Sequence, residues 1–139
     1  MAGVTDPPFR RLIRELSQDR MGILVSEFIS TDGCDPIYKK NRKQASFSQE
    51  ERPFGIQIFG RDPERMANAA AMIETLSPDF IEINAGCPVP KVAGKGGGAG
   101  LLKDLPRLRK IIAEVRKVIQ LPLTLKCRLG WDEESINVM

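Results

Sequence analysis

The chain contains no histidine. That excludes a Cys–His or Ser–His catalytic pair within it. Its three cysteines, Cys34, Cys87 and Cys127, form no Cys-x-x-Cys pair. Neither a zinc site nor a disulfide framework is therefore expected. No apolar run approaches the roughly 20 residues of a membrane-spanning helix, and no charged-then-apolar leader opens the chain. Low-complexity segments are missing too. By default the expected setting is the cytoplasm, without a metal or a membrane partner. What is present is the composition of a globular chain: 139 residues, 42% hydrophobic and 28% charged, enough for one domain with a moderate core. A net charge of +3 permits a polyanionic partner without indicating one.

Short apolar runs alternate with amphipathic stretches. Residues 22–28, 54–59, 80–84 and 121–125 are rich in Ile, Val, Leu or Phe and predict strands. Three sets recur at helical spacing between or before them. Phe9, Leu12, Ile13 and Leu16 follow Asp6-Pro7; Met66, Ala69, Ala70, Ile73 and Leu76 follow Asp62-Pro63. Leu105, Leu108, Ile111, Ile112, Val115 and Val118 follow Asp104. Asp before Pro suits a helix N-cap and first turn. Strands alternating with helices imply parallel pairing and an α/β fold. A doubly wound sheet and a (β/α) barrel share this local grammar. The polar stretch 39–52 is expected to be a long surface loop, and the last residues, 135–139, to enter a helix.

In either architecture the reactive side chains gather at the carboxyl ends of the strands. The candidates there are Gln57, Asn84 with Cys87, and Lys126 with Arg128. Gln57 offers both a donor and an acceptor between apolar neighbours, suited to a ligand edge or simply to backbone bonding. Lys126 ends an apolar strand, so its ammonium must reach an anion or snorkel to solvent. Cys127, between Lys126 and Arg128, is expected in the core. Cys87 lies between Gly86 and Pro88, just beyond the strand. It reads either as a small buried hydrophobe or as a reactive thiol. The glycine run from Gly94 to Gly100 is not a P-loop, since Lys95 is followed by glycine rather than Ser or Thr.

The run from Asn84 to Leu102 has the form Asn-x-Gly-Cys-Pro-x-x-Lys-Val-x-x-Lys-Gly-x-Gly-Ala-x-Leu-Leu. It resembles the signature loop of the tRNA-dihydrouridine synthases of bacterial type. Met-Ala-Gly-Val-Thr-Asp-x-Pro-Phe-Arg at 1–10, Gln57, and Lys126-x-Arg128-x-Gly130 resemble further motifs of that family, in the same order. The resemblance implies a (β/α)8 TIM barrel and an FMN-dependent reduction of uridine to 5,6-dihydrouridine in tRNA, with NADPH as reductant. It implies that Met1, Ala2, Gln57 and Lys126 contact FMN. Asn84, Lys91, Lys95 and Arg128 would face the substrate or tRNA, and Cys87 would donate a proton to C5 as hydride reaches C6. An unperturbed thiol, with a pKa of about 8.5, is mostly protonated at neutral pH and can do this. Nearby cations favour the thiolate, so Lys91 and Lys95 are expected to point at RNA phosphates instead.

A complete barrel takes roughly 250 residues. The chain, residues 1–139, is therefore expected to be about the first half of one. The remaining half and the family's helical tRNA-binding domain would be absent, and the isolated chain would bind flavin weakly and be inactive. Two alternatives stand beside the main reading. Related flavin barrels that reduce free pyrimidines share Asn-x-x-Cys-Pro, and a half-barrel could be non-catalytic.

Overall fold

The computed structural model describes residues 3–32 and 41–137. Met1, Ala2 and Cys34, with the expectations attached to the first two, lie outside the described residues. In chain order the elements are α1 (Pro7–Ser17), β1 (Leu24–Val25), β2 (Ile29–Ser30), a one-turn α2 (Arg42–Ala45), β3 (Phe54–Phe59) and α3 (Pro63–Glu74). There follow β4 (Phe80–Ala85), a one-turn α4 (Pro90–Ala93), α5 (Leu105–Val118) and β5 (Leu123–Cys127), with short 3-10 turns between.

Each long helix starts where its Asp predicts. The carboxylates of Asp6, Asp62 and Asp104 accept from the N–H groups of Phe9, Arg65 and Arg107 at 3.0, 2.9 and 3.1 Å. They satisfy donors that a helix start leaves free, and proline in each first turn needs no partner.

The strands form one parallel sheet in the order β1–β3–β4–β5, with β2 also pairing β3. Spatial order follows chain order, with none of the reversal that marks a doubly wound sheet. Outward side chains of β3 and β4, Ile56, Ile58, Ile81 and Ile83, are buried in one cluster with Met66, Ala70 and Ile73 of α3 and Leu108, Ile111 and Val115 of α5. The crossover helices thus cover one face, as in a (β/α) barrel, and the opposite face is the inner one. The described strands form an arc of such a barrel.

Three sequence expectations need correction, and α1 is set differently from the other long helices. The run 22–28 is not one continuous strand. Leu24 and Val25 pair with Phe54 and Gly55, whereas Ile29 and Ser30 pair with Ile58 and Phe59. The offset falls from 30 to 29 (54 − 24 against 58 − 29), so one extra residue bulges between them. The apolar stripe of α1 does not face the core: Leu16 is 71% exposed, and the helix buries Arg10 instead. Residues 41–52 are more than a surface loop. They bring Ala45 into the core, Phe47 onto the Phe54 ring, and Glu51 to Arg10. The Arg10 guanidinium donates to the Glu51 carboxylate at 2.6 Å and to the carbonyls of Thr5 and Ser46, with Phe54 against its face. Finally, residues 133–135 form a 3-10 turn, and Ile136 bridges back to Gly130 rather than entering a helix.

Candidate active site

Strand alternation decides which side chains reach the inner face. Parallel register places Gln57 beside Glu82, Glu82 beside Thr124, and Asn84 beside Lys126. Gln57, Glu82, Asn84, Thr124 and Lys126 therefore share that face across three strands. The outward positions between them are apolar. Gln57, Asn84 and Lys126 were all anticipated, and the fold brings them together.

Asn84 joins the strand to the loop behind it. Its Oδ1 accepts from the backbone N–H groups of Gly86 and Cys87 at 3.1 and 3.0 Å, an Asx turn that ends β4. Its Nδ2 donates to Gln57 Oε1 at 2.8 Å. Asn84 is thus buried and engaged at both ends of its amide, and its first role is to hold the backbone of Cys87.

The glycine run completes the seat of the cysteine. The Cys87 carbonyl accepts from the N–H of Ala99 at 3.0 Å. Gly98 has φ +51°, and a Cβ there would stand 2.7 Å from the Cys87 carbonyl oxygen and 3.1 Å from its Cβ. No larger residue fits without moving Cys87. The run is packed under the thiol-bearing loop, and Cys87 itself is half-buried.

Arg128 closes the other side. Its Nε donates to the Gly86 carbonyl at 2.8 Å, so the arginine braces the same loop and remains exposed at its outer end. Lys126 is exposed on β5, while Cys127, in register with Ala85, packs against the core as expected. Lys91, on α4, and Lys95 are both exposed. The Lys95 carbonyl accepts from Arg61 at 2.9 Å.

Three residues of this region escaped sequence reasoning. Glu82 stands on the inner face two positions before Asn84 and is buried. Burial pushes its carboxyl above the usual range, partly offset by a hydrogen bond from the Gln57 side chain and by the charge of Lys126. Ser26, in the bulge, accepts from the Gln57 N–H at 3.0 Å through its hydroxyl and donates to the Glu27 carbonyl at 2.7 Å. It repairs the ladder where the extra residue interrupts it. Glu27 is buried, and its carboxylate accepts from the N–H of Gly3. The signal for Glu82 was available: Ile-Glu-Ile-Asn alternates, so whichever face takes Asn84 also takes Glu82.

The dihydrouridine synthase family model matches residues 1–139, the whole chain. The chain belongs to the dihydrouridine synthase family. It is 39% identical over 137 residues to a tRNA-dihydrouridine synthase B of Pseudomonas aeruginosa, covering 99% of this chain and 40% of that relative. It is 36% identical over 139 residues to a tRNA-dihydrouridine synthase B of Pasteurella multocida, covering 100% of this chain and 41% of the relative. A probable tRNA-dihydrouridine synthase of Rhizobium leguminosarum is 39% identical over 140 residues, with 99% and 42% covered. The chain thus spans about two fifths of the length of these synthases. Among the described residues, no group of three or more His, Cys, Asp or Glu is placed to hold a metal ion. No described helix is long and apolar enough to cross a membrane.

Proposed function

We propose that this synthase-family chain forms part of an FMN-dependent enzyme that reduces uridine to 5,6-dihydrouridine in tRNA, with NADPH as the source of reducing equivalents. The observation that carries the reading is the Asn84 amide, which ties the Cys87 backbone to Gln57 on a polar inner face that also bears Lys126.

The residues present fit a flavin ring. Gln57 retains capacity after its internal bonds: Oε1 has a second lone pair beyond Asn84, and the amide nitrogen a second hydrogen beyond Glu82. Lys126 supplies a cation on the same face, suited to the ring's electron-rich edge. Met1 and Ala2 are assigned to the cofactor by the family motif alone. When bound, the reduced flavin supplies the hydride that C6 of the uracil receives.

The chain's own residues do the rest. Cys87 gives its thiol proton to C5, so the C5–C6 double bond gains one hydride and one proton and the sulfur is left as a thiolate. Asn84 and Gly98 hold the cysteine where it can do so. Asn84, buried as it is, acts on the substrate side chiefly through that hold. Lys91 and Lys95, exposed and cationic, take tRNA phosphates. Arg128 keeps its outer nitrogens for the same polyanion or for the uracil. Such phosphate contacts weaken steeply with salt, and the setting proposed is the cytoplasm.

The test is to load the complete gene product with flavin and offer it tRNA lacking dihydrouridine beside free uracil. Dihydrouridine in the tRNA supports the reading. Turnover of uracil with none on tRNA would place the chain with the reductases of free pyrimidines.

A further inference from the structure

Glu82 is a buried acid on the inner face of β4 that the mechanism above leaves without a task. It forms none of the ion pairs among the described residues, which are Arg10–Glu51, Arg52–Asp79, Arg107–Asp104 and Lys117–Glu114. A carboxylate buried without an ion pair is costly, so its neighbours indicate what it does.

The hydrogen-bond directions follow from one end of the network. Two backbone N–H groups claim Asn84 Oδ1, which turns Asn84 Nδ2 towards β3. A donor there requires an acceptor, so Gln57 presents Oε1 at 2.8 Å. The amide nitrogen of Gln57 is then on its other side, where the register sets Glu82, and the Glu82 carboxylate is the acceptor it needs. If the Gln57 amide turned over, its NH2 would meet the NH2 of Asn84 and its oxygen would meet a carboxylate. Both contacts are repulsive.

We propose that Glu82 is a positioning residue: its carboxylate fixes which way round the Gln57 amide stands and, through Asn84, steadies the backbone that carries Cys87. The inference rests on the reading of Gln57 and Cys87 given above. It adds that the donor and the acceptor Gln57 has to spare face the mouth of the arc in a set order.

The test compares Glu82→Leu with Glu82→Gln in the complete gene product. Leucine removes the acceptor but fills the space, and apolar replacement of a buried charged group is commonly tolerated. Should it not fold, Glu82→Met, a more pliable filler, takes its place. Glutamine keeps an acceptor oxygen and removes the charge. Two quantities are read: FMN affinity by fluorescence titration of the apoprotein, and the rate of Cys87 alkylation by iodoacetamide, resolved by peptide mass spectrometry without cofactor. The apolar variant is expected to bind FMN about tenfold more weakly, the worth of one hydrogen bond of about 1.4 kcal/mol. Its Cys87 alkylation rate is expected to change, and glutamine to restore both. Wild-type values in the apolar variant would overturn the proposal, as would a glutamine variant equally defective. If the wild type binds no FMN, the flavin reading fails, and the alkylation rates still decide the role of Glu82.

Discussion

The three adjacent glycines Gly96, Gly97 and Gly98 give a graded test of how the loop seats Cys87. Gly97 has φ −98° and ψ 178°, ordinary extended backbone, and a Cβ on it would come no nearer than 3.4 Å to the Gly60 carbonyl. Alanine there should be nearly neutral, because a stiffer unfolded chain offsets a mild contact, to within about 0.5 kcal/mol. Gly96 has φ +83° with only the Arg107 side chain, at 3.6 Å, near its missing Cβ. Alanine should cost the left-handed strain alone, about 1–2 kcal/mol. Gly98 has φ +51°, and its Cβ would stand 2.7 Å from the Cys87 oxygen and 2.9 Å from Val92 Cγ1. It should add an overpacking cost of about 1–3 kcal/mol to the same strain, for a total of about 2–5 kcal/mol. Urea unfolding of the three variants in the complete gene product measures the series, and Cys87 alkylation reports local displacement. The expected order is Gly97→Ala mildest, then Gly96→Ala, then Gly98→Ala, with altered Cys87 reactivity in the last alone. A Gly98→Ala protein as stable as Gly97→Ala, with unchanged alkylation, would refute the idea that this glycine carries the cysteine.

Other perturbations probe separate parts. Glu51→Ala leaves the Arg10 guanidinium buried without its anion and should cost about 3–5 kcal/mol in urea unfolding; a loss below about 1 kcal/mol would show the pair is dispensable. Asn84→Asp keeps the acceptor for Gly86 and Cys87 but sets oxygen against oxygen at Gln57, 2.8 Å away, on a face that already holds Glu82. A loss of about 2–4 kcal/mol is expected, and unchanged stability would sink the network. Glu82 has a raised folded carboxyl, so the folded state binds the extra proton. Its contribution to stability is full below the unfolded carboxylate pKa and is lost as pH rises through the folded value. Stability measured across that window should fall with rising pH, and the slope should flatten in Glu82→Gln. Cys87→Ala should leave FMN affinity near wild type while tRNA reduction falls by about 10²-fold or more; loss of flavin binding would mark the cysteine as structural.

How much of this was legible in the sequence depends on the range of the signal. Helix starts were, because Asp6, Asp62 and Asp104 cap with residues three positions away. The central strands were, because Ile, Val and Phe runs need no partner to be recognised. The choice of barrel over doubly wound sheet was carried by the family resemblance, not by periodicity, and rests structurally on pairing order. The bulge between Val25 and Ile29 was invisible, since it exists only as a mismatch against β3. So was the exposure of the α1 stripe: spacing defines a face but not what lies against it. Arg10 buried under Glu51 depends on residues 41 positions apart. Asn84 was picked out for its motif, yet its amide faces Gln57 and the loop backbone, which only the folded register could reveal.

The two described cysteines show why strand parity matters more than residue type here. Both sit near strand ends, and both are half-buried. Cys127 pairs in register with Ala85, an outward position, so it faces the helices and packs on the core. Its neighbour Lys126 pairs with Asn84 and faces inward. One residue thus separates an ammonium able to serve a ligand from a thiol that cannot reach one. Cys87 escapes this rule because β4 ends at Ala85, and no ladder dictates its direction. Its orientation must come from elsewhere, and the structure supplies three restraints: the side-chain Oδ1 of Asn84 accepting from its N–H, the Ala99 N–H donating to its carbonyl, and Gly98 beneath its Cβ. Their convergence fixes the backbone and Cβ of Cys87, the hold that the proposed proton donation requires.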